Sequence, residues 1–100
     1  MARPRHAHGV DPALKDNALT RLKRIEGQVR GVHRMVAAER YCADTLIQIS
    51  AIQESLRAVA QVLLRNHLEN CAADAIRSSD QERRERMYDE LTGLFFKHVR

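Results

Sequence analysis

One hundred residues, 30% of them charged and 4% aromatic, with a formal charge of +4, are too few for a large enzyme's cleft and second lobe, and a lone copy has only a thin core. The chain holds no apolar run of about eighteen residues that could span a membrane, and MARPRHAHGVDP contains no secretory-type apolar stretch, so a cytoplasmic protein is expected. In that compartment Cys42 and Cys71 are not expected to form a structural disulfide, which leaves metal binding, redox sensing or plain burial.

The charge is unevenly placed. Residues 1–40 hold nine Lys/Arg against four Asp/Glu, and residues 41–100 hold eight against nine. A localised basic excess suits a polyanion such as DNA, although a solvated helix face looks the same.

Residues 1–10 read as a flexible arm carrying His6 and His8, ahead of a single helical domain over 11–100. Asp11 as N-cap with Pro12 behind it starts helix 1, whose apolar positions Leu14, Ala18, Leu22, Ile25, Val29, Val32 and Val36 recur at spacings of four and three to about Glu39. A short connection, Arg40 to Cys42, leads into helix 2. From about Ala43 to Arg77 there is no Gly or Pro, and two apolar stripes are expected: Leu46, Ile49, Leu56, Val59 and Leu63 on one, Ile47, Ala51, Ala58 and Val62 on the other. Helix 1 covers one stripe, and the other calls for a second copy. Ser78, Ser79 and Asp80 form a turn and N-cap before a short helix 3 with Met87, Leu91, Leu94 and Phe95 on one face. The expected fold is all-α: a three-helix protomer with long antiparallel helices 1 and 2.

His67 and Cys71 are four apart on the expected helix 2, one turn apart on one face, where they could grip one ion. Cys42 opens the same helix. Its 25-residue separation from His67 is roughly 37 Å at ~1.5 Å rise per residue, so the two cannot share a metal within a chain. An antiparallel second copy brings Cys42 of one chain beside His67 and Cys71 of the other, and two-fold symmetry makes the site twice. Two thiolates and an imidazole are a soft three-ligand set that suits Cu(I); a fourth ligand from His6 or His8 shifts the choice toward Ni(II), Co(II) or Zn(II). Tyr41, Glu85 and Glu90 are candidates to hold the imidazole's other nitrogen.

On helix 1, Lys23, Gly27, Arg30 and Arg34 form a stripe opposite the apolar seam, flanked by Thr20, Arg24 and Gly31. Each glycine costs the helix about 1 kcal/mol relative to Ala, which is explained if a phosphate or another backbone approaches there. Arg57 and Arg65 extend the positive surface or are simply solvated. No helix-turn-helix, zinc finger or aromatic RNA platform appears, so phosphate contacts and shape readout would dominate DNA binding. Nor is there a nucleophile and base arrangement, phosphate loop or HExxH motif, so no enzyme is expected.

The run RLKRIEGQVRGVHRMV (Arg21 to Val36), then Cys42, then QISAIQESLRAVAQVLLRNHLENC ending at Cys71, resembles the copper-sensing repressors of the CsoR/RcnR-like metal-sensitive family. The likeness is close over residues 15–77 and loose in helix 3. It implies an antiparallel dimer paired into a tetramer that represses metal-efflux genes and leaves DNA on binding metal. The Cys, His, Cys signature of the copper branch falls on Cys42, His67 and Cys71, and the DNA-face arginines on Arg21 and Arg57. Formaldehyde-sensing relatives have Pro after Met1, where this chain has Ala2; nickel-sensing relatives carry arm histidines, which keeps His6 and His8 in play. A persulfide or redox sensor joining Cys42 to Cys71 is the rival reading, and it leaves His67 without a use. Expected partners are operator DNA, further copies of the chain and a copper chaperone, with no membrane.

Overall fold

The structure is a computed structural model, and its described residues are Arg5 and residues 9–98; His6 and His8 lie outside them. Four α-helices and one π turn follow in order: α1 (Pro12–Ala37), α2 (Cys42–Asn66), the π turn His67–Ala72, α3 (Ala73–Arg77) and α4 (Gln81–His98). Among the described residues there is no strand. The all-α expectation holds. The chain groups into two compact units, one of residues 11–65 and one of residues 66–100 with residues 1–10.

In the first unit, Asp11 stands in extended conformation and its carboxylate accepts from the Ala13 backbone N–H at 2.8 Å, while Pro12 takes a position whose N–H has no helical partner to lose. The core between α1 and α2 is narrow. Ala18 and Ile25 meet Val59, with Ile52 packed beside them, and Leu14 and Val32 are half-buried. Leu22, Val29 and Val36, expected in the same seam, are exposed instead. One partner helix covers a single line of side chains spaced by seven, and the parallel line one step round the helix is left out.

The stripes on α2 are corrected in the same way. The inner line is Thr45, Ile52 and Val59, seven apart, with Ser55, Ala58 and Val62 half-buried alongside. Val59 thus leaves the stripe assigned to it, and Ile47 and Ala51 face outward. Leu46, Ile49, Leu56 and Leu63 form the uncovered line. Each such aliphatic side chain, if fully buried, contributes about 1.5–3 kcal/mol.

Only residues 38–41 separate α1 from α2, which folds the second helix back beside the first. The chain reverses through two reciprocal backbone bonds: Arg40 N–H donates to Met35 O at 2.9 Å and Glu39 N–H to Val36 O at 3.1 Å. The residue between must be left-handed, and Glu39 is, at φ 54°. Glycine normally fills this position, since a side chain there costs roughly 1 kcal/mol. Glu39→Gly is therefore expected to raise the unfolding free energy by about 0.5–1 kcal/mol in urea melts.

In the second unit, the uninterrupted α-helix expected through Arg77 is broken at His67–Ala72, where hydrogen bonding shifts from i→i+4 to i→i+5. Ala72 and Ala75 are buried there. Asp80 caps α4 as expected, its carboxylate accepting from Glu82 N–H at 3.0 Å and Arg83 N–H at 3.3 Å. The last helix is longer than expected, 18 residues, because no Gly or Pro interrupts it before Gly93, and a lone glycine weakens a helix without ending it. Met87, Leu91 and Leu94 are half-buried, but Phe95 is exposed and stacks edge-on with Phe96 at 5.6 Å between ring centroids.

Candidate functional site

The π turn carries two of the expected ligands, His67 at its first position and Cys71 at its fifth. Both side chains are half-buried. α4 supplies the imidazole's neighbour: Glu90 Oε1 lies 3.4 Å from His67 Nε2, within ion-pair reach but outside hydrogen-bond geometry. That nitrogen is buried and has no hydrogen-bond partner among the described residues. A buried nitrogen facing a carboxylate is the orientation seen when the other ring nitrogen is kept for a metal. Glu85, the other carboxylate considered, instead borders an acidic surface hollow with Gln81, Glu82, Arg86 and Asp89.

Cys42 is the first residue of α2 and is exposed. It borders a hollow of about 410 Å³ with Val36, Glu39, Arg40, Thr45 and Leu46. Val36 belongs to the uncovered line of α1 and Leu46 to that of α2, so the thiol sits at the end of the apolar face that the hairpin leaves open. Tyr41, just before it, has an exposed side chain, and its carbonyl oxygen accepts the Asp44 and Thr45 N–H groups that start the helix. Neither cysteine is in a disulfide. Among the described residues no three His, Cys, Asp or Glu side chains come together as a metal-holding group.

The six residues expected to face DNA all lie exposed in the first unit. Arg21 donates from Nε to Asn17 Oδ1 at 2.7 Å, and Lys23 pairs with Glu26 at 3.4 Å. Arg24, Arg30 and Arg34 follow on α1, and Arg57 stands on α2. A Cβ added at Gly27 would meet Arg30 Nη2 at 3.6 Å, and one at Gly31 would meet Arg34 Nη2 at 3.8 Å. Both are ordinary contacts with flexible side-chain ends, so nothing inside the chain requires glycine at either place. Gly31 and Arg34 also line a hollow of about 410 Å³ with Gln28, Arg40 and Gln48. Sequence reasoning missed Arg40, Gln28 and Gln48, which become neighbours only once the hairpin closes; Arg40 also borders the Cys42 hollow.

No helix of the described residues is long and apolar enough to cross a membrane. Residues 14–97 match the family described as metal-sensitive transcriptional repressor. The chain is 49% identical over 86 residues to the copper-sensing transcriptional repressor CsoR of Bacillus subtilis (strain 168), covering 86% of this chain and 82% of that protein. It is 50% identical over 70 residues to the copper-sensing transcriptional repressor RicR of Mycobacterium tuberculosis, covering 70% of this chain and 72% of that one. Among solved structures, the copper-sensing repressor CsoR with Cu(I) from Geobacillus thermodenitrificans NG80-2 superposes with a TM-score of 0.81 at 42% identity, over 94% of this chain and 95% of that one. Matched over most of its length in both sequence and fold, the chain belongs to the metal-sensitive transcriptional repressors, a regulatory and not a catalytic family.

Proposed function

We propose that the metal-free protein binds operator DNA and that Cu(I) releases it, with Cys42 of one copy and His67 and Cys71 of a second copy as the ligands. The observation that carries this reading is the division of the donors. His67 and Cys71 share one turn, whereas Cys42 opens α2, a helix of 25 residues, and no three donors gather within one chain among the described residues. The residues fit the ion: two sulfurs and one imidazole are a soft set of three, and His67, with Nε2 turned to Glu90, keeps Nδ1 for a metal. The copper-sensing relatives favour Cu(I) over Ni(II), Co(II) or Zn(II).

The uncovered lines of α1 and α2 supply the surface on which a second copy packs, antiparallel so that each Cys42 reaches the other chain's π turn, and pairing of such dimers makes a tetramer. Arg21, Lys23, Arg24, Arg30 and Arg34 on α1 and Arg57 on α2 contact phosphates, and the bare backbone at Gly27 and Gly31 lets the duplex come close. The place of action is the cytoplasm. Cys42 of one copy and His67 and Cys71 of the other would hold Cu(I) between them, and the chain's own residues would then keep α1 and its cations in a spacing that no longer fits the operator.

A gel-shift titration with an operator fragment tests the reading. One equivalent of Cu(I) per protomer is expected to weaken DNA binding by roughly two decades, a coupling of about 3 kcal/mol. Release by Ni(II) or Co(II) and not by Cu(I) would refute it. Glu90→Gln keeps the side chain's size and removes its charge, and is expected to lower Cu(I) affinity about 10–100-fold in competition with a chromophoric chelator. Glu85→Gln, which does not face the imidazole, should leave affinity unchanged.

A further inference from the structure

The two residues that precede the π-turn ligands are both asparagines, Asn66 before His67 and Asn70 before Cys71. Their side chains are joined: Asn70 Nδ2 donates to Asn66 Oδ1 at 3.0 Å. Asn66 is 7% exposed, which makes it a buried polar residue at the last position of α2. Asn70 is gripped from a second side. Gly9, at φ 61°, lies so close over it that an added Cβ would come within 3.3 Å of Asn70 Cβ and 3.4 Å of its Cγ and Oδ1.

A π turn is rarer than an α turn and persists where its surroundings hold it. This one has a buried amide at its entry, a side-chain hydrogen bond running along it, and the Gly9 backbone laid against the Asn70 side chain. His67 and Cys71 ride on the same stretch with the same four-residue offset as the asparagines. We propose that the Asn66–Asn70 bond, backed by Gly9, is the clasp that fixes the π turn and so sets the separation at which His67 and Cys71 present their donor atoms. Asn66 and Asn70 are positioning residues: they touch no ion and act through the backbone that bears the ligands. This rests on reading His67 and Cys71 as ligands, and the residue pair goes beyond that reading because neither asparagine is a donor in it.

The test uses the full chain, Asn70→Ala and Gly9→Ala, with two measurements. The first is amide hydrogen exchange of the metal-free protein. Both variants are expected to exchange faster at residues 67–72 and at wild-type rates in α1 and in α2 before Arg65, with unchanged helix content by circular dichroism. The second is Cu(I) affinity against a chromophoric chelator, expected to fall at least tenfold, in the range known for groups that orient metal ligands. Exchange at residues 67–72 equal to wild type, or raised evenly along the chain, overturns the clasp; so does wild-type affinity in Asn70→Ala. If instead wild-type protein holds no Cu(I) through its thiols, the ligand reading fails, while the exchange data on metal-free protein still decide whether the clasp exists.

Discussion

Cys42→Ala is expected to give a repressor that binds its operator as wild type does and stays bound when Cu(I) is added. The thiol is exposed at the first position of α2 and packs against nothing in the core, so its loss leaves the hairpin intact. In the proposed site it is also the donor that the other two cannot replace, because His67 and Cys71 share the π turn and Cys42 opens α2. Two remaining ligands hold Cu(I) within one copy without drawing two copies together, so the roughly hundredfold weakening expected of wild type should vanish, a change of about 3 kcal/mol in coupling with little in DNA affinity itself. Operator gel shifts with and without one equivalent of Cu(I) per protomer read both quantities. A Cys42→Ala protein that lets go of DNA as readily as wild type means that this thiol is not part of the site.

The second large effect concerns assembly. Leu56 stands midway along the uncovered line of α2, 45% exposed, flanked at seven-residue steps by Ile49 and Leu63. In a two-fold pair each copy contributes the residue once, so a substitution acts twice. Leu56→Glu forgoes about 2 kcal/mol of burial per copy and leaves charges that cannot be buried unpaired at comparable cost. The sum is at least about 4 kcal/mol, or roughly three decades in the dissociation constant. Sedimentation of wild type and variant at the same micromolar concentration should show an assembled and a dissociated protein. Equal assembly would place the interface off this line.

The helical class was legible because no strand-like alternation competes with the heptad spacing, and because Asp11–Pro12 and Asp80 are start signals whose hydrogen bonds depend only on near neighbours. The assignment of lines was less so. Leu22 and Ile25, or Leu56 and Val59, are three apart and equally apolar; which of each pair goes inward depends on the angle at which the two helices meet, and that is set by small residues such as Ala18 that hydropathy barely weighs. The π turn was invisible for a related reason. His67 to Ala72 has ordinary helix-forming composition, and the bond that joins Asn66 to Asn70 across it belongs to no motif that sequence spacing announces. Among the candidate ligands, Cys42, His67 and Cys71 stand out in sequence as rare donor types, whereas the approach of Glu90 to His67 depends on the course of α4 in space.

On the proposed division of donors, a copper site exists only where two copies have come together. Capture of the ion and association of the chain are then linked: dilution that separates the copies removes the site, and a held ion in turn favours the associated state.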